Sequence, residues 1–397
     1  MRRRKEEYEM YSSFRNKKKE NMRKVLLSIC LVLLAAHVQA AHKVFHMVVA
    51  ADGSGDFTSV QAAIDAVPDN NLNQCLIFIK AGTYQEHVFI PQDKGRLSII
   101  GEGRDVVFIT DNQKSGGPEA VPVDKGATVV VHASDVTFQG ISFVNSYGVQ
   151  AEDGPQALAL YAKGDRIALD HCAILSYQDT YRTSESDNGR NYVCNSLILG
   201  AVDFIYGSGN AWFENCTIKI NRKSGGWIVA PKHRDTTRWG YVFNNCTLTA
   251  DGNPAETSIL LGRPWHHQPQ TVFLNTRAEI TIPAEGWCPH MNGLPKVFAE
   301  YNTTNANGTP LELSKRINRY YRFDEKGDTI WCTAKQILSA QEAARYTIEA
   351  VMEGDDHWNP QQLFEPAKHP IGYVTINGRK VAVNQYGCFS RENRKEK

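Results

Sequence analysis

Apolar residues along this chain gather in short runs rich in Val, Ile, Leu and Phe, each closed by glycine, asparagine or a charged pair. Cys75–Lys80, Val88–Ile90 and Leu97–Ile100 are such runs, and Gly101-Glu102-Gly103 closes the last of them. The pattern predicts short strands rather than long helices. One early exception is the segment that ends at Pro68. There Val60, Ala63, Ile64 and Val67 share one helical face, so a short amphipathic helix is expected. Past about residue 310 the pattern changes again. Ala334–Tyr346 reads as helix, followed by loops rich in Trp, Pro and Gly.

The central strands repeat. Phe213-Glu214-Asn215-Cys216-Thr217 is echoed by Phe243-Asn244-Asn245-Cys246-Thr247 and by Phe273-Leu274-Asn275-Thr276, with the phenylalanines 30 residues apart in both intervals. Leu169/His171 and Val193/Asn195 continue the series upstream at intervals of 20 to 24. A period of this length is that of a solenoid, in which each repeat buries its apolar face only against its neighbours. Stacked aromatics would then fill the interior, and stacked asparagines would bond backbone groups at the turns. A β-sandwich with similar hairpins is the alternative, but hairpin turns such as Asn-Gly are scarce between the runs. The reading is an all-β chain: a right-handed single-stranded parallel β-helix over residues 41–310, with the short N-terminal helix and a C-terminal loop/helix tail over 311–397. The tail is expected to pack on the solenoid.

Residues 1–21 are charged and lack apolar periodicity, which suggests an extension ahead of the true start at Met22. Arg23-Lys24, the apolar run Val25–Ala36 and Val38-Gln39-Ala40 then form a secretory signal pattern over 22–40. The run is too short to span a bilayer. A lipoprotein reading at Cys30 is weak, because Ile29 precedes it. The protein is therefore expected to be secreted, extracellular or periplasmic, without stable membrane insertion, and monomeric. Removing 1–40 leaves 34 of the 44 basic and 39 of the 43 acidic residues, a net charge of −5. No basic patch calls for nucleic acid. The net negative charge predicts weaker binding to a fully anionic polymer. Eight of the nine cysteines remain, so disulfides are expected in an oxidising compartment, with Cys172, Cys194 and Cys216 on neighbouring coils but no pairing decided.

The stretch Ser176–Gly207 carries the candidate chemistry. Asp203 sits in Ala201-Val202-Asp203-Phe204-Ile205-Tyr206, where an unpartnered carboxylate would be costly to desolvate. Asp179 follows Gln178 and lies 24 residues earlier, about one repeat. Successive coils would bring the two acids within roughly one strand spacing, about 4.8 Å. There is no G-x-S-x-G elbow, no H-E-x-x-H and no phosphate-cradling G-x-x-x-x-G-K.

Five motifs in order, Asp52-Gly53-Ser54-Gly55-Asp56-Phe57, Gly154-Pro155-Gln156-Ala157-Leu158-Ala159-Leu160, Tyr177-Gln178-Asp179-Thr180, Gly200-Ala201-Val202-Asp203-Phe204-Ile205-Tyr206-Gly207 and Leu261-Gly262-Arg263-Pro264-Trp265, resemble those of the pectin methylesterases, carbohydrate esterases of the pectinesterase family. The resemblance runs over roughly residues 43 to 360. It implies a right-handed β-helix acting on methylated homogalacturonan (pectin), giving pectate and methanol. It further implies that Asp203 is the nucleophile, Asp179 the proton donor and acceptor, and Gln156 and Gln178 the oxyanion hole. Arg263 would bind the Asp203 carboxylate and Trp265 would stack on a sugar. Tyr206 and Tyr181 are further substrate-binding candidates, and Tyr161, Trp227 and His266 could line the same cleft. No metal and no organic cofactor is implied. The family pattern has Leu-Tyr where Tyr181-Arg182 stand here, and more often Phe at Tyr206. With no inhibitor-like helical region in view, the resemblance leans to bacterial members.

Two other classes compete. A β-helix hydrolase or calcium-dependent lyase cutting the pectate backbone would need paired carboxylates around water, or clustered acidic ligands. A catalytically silent β-helix that only binds polysaccharide would retain pectin affinity and release no methanol, although the expected catalytic residues are all present. The Gln-Asp, Asp-Phe-Ile and Arg-Pro-Trp combination argues against hydrolase and lyase alike.

Overall fold

The structure, a computed structural model, describes residues 22–24, 44–115, 121–149 and 156–390. The charged stretch 1–21 and nearly all of the expected signal segment lie outside these residues.

Parallel strands stack into three sheets of eleven, nine and seven strands. The chain visits them in rotation. Arg190–Cys194 lies in the eleven-stranded sheet, Leu197–Gly200 in the nine-stranded sheet and Ile205–Gly207 in the seven-stranded one, before Asn210–Glu214 begins the next coil. This is the right-handed parallel β-helix expected from the repeat. Its first coil is closed by the helix Val60–Asp65, whose Val60, Ala63 and Ile64 are buried as the spacing predicts. The Ser59 hydroxyl accepts from the Ala62 amide at 3.1 Å, and the Glu86 carboxylate accepts from the Val60 and Gln61 amides. Both acceptors satisfy N–H groups that have no partner inside the helix.

The interior is a column of apolar side chains in register. Val193 pairs with Phe213, Phe213 with Phe243 and Phe243 with Phe273. The three phenyl rings stack with centroids 4.3 and 4.5 Å apart and planes within 5° and 8° of parallel. A one-residue slip in any coil would turn these rings outward, which is why the register holds.

The tight corner between the eleven- and nine-stranded sheets is made by one left-handed residue per coil: His171, Asn195, Asn215, Asn245, Asn275 and Asn302, with φ between 50° and 56°. Asparagine tolerates this conformation better than other residues that carry a Cβ. The sequence suggested that these amides bond backbone groups. Instead they bond side chains: Asn195 donates to Asp170, Asn245 to Glu214, Asn275 to Asn244 and Asn302 to Asn275, at 2.8–3.0 Å.

The coil stack continues beyond residue 310, because Lys335–Ile337 adds a final strand to the eleven-stranded sheet. The single helix expected over Ala334–Tyr346 is therefore absent. The first helix after that strand is Ala340–Ala343, begun by a capping box between Ser339 and Glu342, and Ile348–Met352 follows. Leu338, Ala343, Val351 and Met352 pack on Tyr192, Trp212, Val242 and Val272, which face out of the eleven-stranded sheet. Arg190 clamps this layer, donating to Asp165 and Asp356 and to the carbonyls of Met352 and Glu353. The last hairpin, Gly372–Ile376 with Arg379–Val383, covers Phe45, Leu76, Phe78 and Ile100 at the other end of the same sheet. The tail thus runs back along the outer face of that sheet.

All eight described cysteines are free thiols, which corrects the expectation of disulfides. Cys194 packs against Leu169 and Asp170, and Cys216 and Cys246 donate to carbonyls of the preceding coil. In these positions they behave as small buried side chains of the stack.

Candidate active site

The two acids occupy the corner that leads from the nine-stranded to the seven-stranded sheet. Gln156 pairs with Gln178, and Gln178 with Val202, so three successive coils lie in register there. The Asp179 amide donates to the Val202 carbonyl at 3.1 Å, and the Asp203 amide to the Trp227 carbonyl at 2.8 Å. Both aspartates have left-handed backbones, φ 61° and 50°. Aspartate adopts this conformation more readily than bulkier residues, and it brings each carboxyl onto the outer face of the seven-stranded sheet. Each residue is 7% exposed.

Their environments differ. Arg263, two coils beyond Asp203, reaches back and grips that carboxylate as a fork. Its Nε donates to Oδ1 at 2.8 Å and to Oδ2 at 3.1 Å, and Nη2 also contacts Oδ2. The guanidinium lies 3.9 Å from the centre of the Trp227 ring, which fixes its plane. Asp179 has no such fork and accepts from the Tyr206 hydroxyl. Burial raises both carboxyls. Arg263 works against that rise at Asp203, whereas Asp179 is pushed well above the ordinary carboxylate range by burial and by the Asp203 charge. The proton of the pair therefore resides on Asp179.

Gln156 and Gln178 lie side by side on adjacent coils, both half-buried. Trp265 meets Tyr206 edge to face at 5.6 Å, so these two rings share one wall. Tyr161 lies in the same outward row, pairing with Arg182, which pairs in turn with Tyr206. His266 continues the wall, 5.2 Å from Trp265.

Tyr181 is the exception. It is fully buried in the coil interior, edge-on to Phe213, with its hydroxyl 3.3 Å from the Asn191 side-chain oxygen. The reason is parity: Tyr181 pairs with Leu160 and Ile205, both core residues, so its side chain must point inward. The residue that faces out is Arg182. Its guanidinium lies 4.8 Å from the Tyr161 ring and 5.5 Å from the Tyr206 ring. Arg182, Glu185 and Lys232 were not singled out from the sequence, although period-2 alternation along the Tyr181-Arg182 strand carried the signal for the first of them.

Among the described residues no three His, Cys, Asp or Glu side chains converge as metal ligands, and no helix is long and apolar enough to cross a membrane. The site offers one arginine-held carboxylate, one buried carboxyl carrying a proton, and two side-chain amides beside them. Together the fold and these groups define a carboxylic ester hydrolase built on a β-helix.

Comparison with known proteins agrees. The sequence matches the Pectinesterase family over residues 46–355. It is 34% identical over 271 residues to a "Probable pectinesterase A" of Neosartorya fischeri, covering 66% of this chain and 79% of that one. It is also 29% identical over 322 residues to a pectinesterase of Petunia integrifolia, covering 78% and 80% of the two chains. Among solved structures, the pectin methylesterase from carrot superposes with a TM-score of 0.67 at 27% identity, covering 81% of this chain and 97% of that one. The pectin methylesterase from Aspergillus niger gives 0.63 at 26% identity, covering 79% and 96%. The chain belongs to the pectinesterase family. The sequence relatives named here are fungal and plant proteins, so the bacterial leaning is not borne out.

Proposed function

We propose that the chain hydrolyses methyl esters of galacturonate units in pectin, with Asp203 as nucleophile and Asp179 as the proton carrier. One observation carries the reading: of two aspartates on successive coils, Arg263 grips one and leaves the other to hold a proton. The ionised Asp203 oxygen attacks the ester carbonyl carbon. The oxyanion that forms is met by the amides of Gln156 and Gln178, which stand on adjacent coils. As the tetrahedral intermediate collapses, Asp179 gives its proton to the departing methoxide, and methanol leaves an acyl-enzyme on Asp203. Asp179, now a carboxylate, takes a proton from water as that water attacks the acyl carbon. Collapse then restores the Asp203 carboxylate and frees the galacturonate carboxyl, which gives its proton to solvent. Arg263 keeps Asp203 ionised and aimed, while the half-buried Trp265 gives a sugar ring a surface to lie against and the buried Tyr206 and Tyr161 rings back it from within. The reaction as drawn uses no metal or organic cofactor.

The signal pattern at 22–40 supports an exported, secreted protein acting as a monomer on the pectin of cell walls. Residues 1–21 are assigned to a leading extension and 41–310 to the catalytic β-helix; within 311–397, Lys335–Ile337 still adds a strand to the stack and the rest forms the packed tail.

Methanol release from highly methylated pectin tests the reading. Asp203→Asn removes the nucleophile's charge at nearly constant shape, and turnover should fall by roughly 10³- to 10⁵-fold with the melting temperature retained. Near-normal turnover in that variant refutes the assignment. Viscosity loss in pectate without methanol would instead favour backbone cleavage.

A further inference from the structure

The seven-stranded face carries a second cluster of charge beside the acids. Arg182, 14% exposed at its side chain, and Lys232, 21% exposed, both bind the single carboxylate of Glu185. Lys232 Nζ lies 2.7 Å from Glu185 Oε2, and Arg182 Nη2 contacts Oε1. Two cations on one anion leave the cluster with an excess positive charge inside a chain whose mature net charge is negative. Neither cation stands apart from the proposed sugar wall. Arg182 rests on the rings of Tyr161 and Tyr206, and Lys232 lies 5.5 Å from the centre of the Trp265 ring. The Arg182 Nε–H is buried with no hydrogen-bond partner. A forked donor with an unused N–H, a nearby ammonium and aromatic flanks is what recognition of a sugar carboxylate requires. Glu185, 32% exposed, is the more accessible member of the cluster and occupies the position of a displaceable anion.

We propose that Arg182 and Lys232 form a carboxylate subsite that seats an already de-esterified galacturonate unit beside the ester being hydrolysed, with Glu185 holding the two cations in its absence. The inference rests on the pectinesterase reading for its substrate class. What it adds is the assignment of contact with a neighbouring free carboxylate to these two side chains. The net negative charge of the chain argues against pectate at long range. The cluster acts at contact distance, where local charge outweighs the screened net charge.

Burial and the neighbouring Arg182 and Arg234 charges bring the Lys232 ammonium down to about 8, so it is largely charged at neutral pH. The charged and titratable groups around it are Arg182, Glu185, Arg234 and His266.

The test is calorimetric titration of the purified enzyme with trigalacturonate, a fully de-esterified probe that is not turned over. Arg182→Gln and Lys232→Gln should each weaken binding about tenfold. Arg182→Lys should recover part of that loss. Glu185→Gln removes the competing anion and should tighten binding, an effect no purely structural role predicts. Affinities unchanged within about twofold in both glutamine variants, or weakened by Glu185→Gln, overturn the proposal. In parallel, the ratio of kcat/KM on partly de-esterified to highly methylated pectin should drop about tenfold in Arg182→Gln. A ratio that stays constant while both values fall would assign Arg182 to positioning Tyr206 instead, and would also overturn it. Binding is read without turnover, so absence of methanol release would defeat the reaction assigned above and leave this result standing by itself.

Discussion

Asp179 and Asp203 hold the same place on successive coils, joined through the Asp179 amide and the Val202 carbonyl at 3.1 Å, yet Arg263 grips only Asp203. Equivalent backbone positions thus receive unequal electrostatics: burial raises both carboxyls, and only Asp203 has the fork to oppose it. The asymmetry arises two coils away, from one side chain whose reach is fixed by the strand pairing between Ser224–Pro231 and Ser258–Gly262.

Removing Arg263 should move the acid limb of the pH–rate profile. Burial raises the Asp203 carboxyl and the guanidinium opposes that rise. In Arg263→Gln the opposition is gone, so Asp203 stays protonated to higher pH and activity is lost from the acid side. An upward displacement of the acid limb in kcat/KM for methanol release is expected. Arg263→Lys keeps the charge without the fork and should lie between the two. A profile that does not move would show that Arg263 has no hold on the nucleophile's ionisation.

Gln178→Ala and Gln156→Ala probe the amides. An oxyanion donor acts on the transition state, so kcat should fall by roughly 10²- to 10³-fold while KM changes little. Steady-state kinetics on one pectin sample decide it. A rise in KM alone would place these amides in ground-state binding.

Phe243 sits between Phe213 and Phe273 at centroid distances of 4.3 and 4.5 Å. Phe243→Ala leaves a cavity that the neighbouring coils cannot close without breaking register, and should cost about 3–5 kcal/mol in denaturant unfolding. Phe323→Ala, on a residue 58% exposed, should cost far less. Equal costs would mean that the ring column is not what sets the stability of the stack.

The tail's attachment should weaken in acid. Arg190, then burial acting in the opposite sense, then Arg166 set Asp356, and the net effect holds its carboxyl well below the ordinary value of 3.8. A depressed carboxyl contributes stability that is present above the unfolded value and is lost as pH falls through the folded one. Asp356 is 40% exposed, so solvent screening limits the effect of Asp356→Asn to about 1 kcal/mol at neutral pH. That difference from wild type should shrink as pH drops below 3.8. A gap that persists in strong acid would point to packing rather than charge.

What was legible in the sequence was what repeats. The phenylalanine and asparagine ladders show themselves because one physical requirement recurs in successive coils, and the acids stand out because Asp203 breaks an apolar run and Asp179 lies one repeat before it. The tail was legible only as a change of pattern. Tyr192, Trp212 and Val242 are buried although they face out of the sheet, and no period along their strands says what covers an outer face. Arg182 ends a two-residue strand, Glu185 and Lys232 lie in the connections that vary between coils, and only the folded chain brings the three to one point. Tyr181 failed for a simpler reason. An aromatic beside a catalytic motif suggests a sugar platform, but strand parity turns it inward and gives its neighbour the outward place.

The corner asparagines bear on how the site comes into being during folding. Successive coils from His171 to Asn302 turn this corner through one left-handed residue each, and each coil is stable only on its neighbours. Gln156, Gln178, Asp203 and Arg263 are spread over several consecutive coils, so no fragment holding only some of them contains the complete site. During refolding, catalytic competence would return only once zipping has passed through all of those coils. Esterase activity would then time the growth of the solenoid rather than its nucleation.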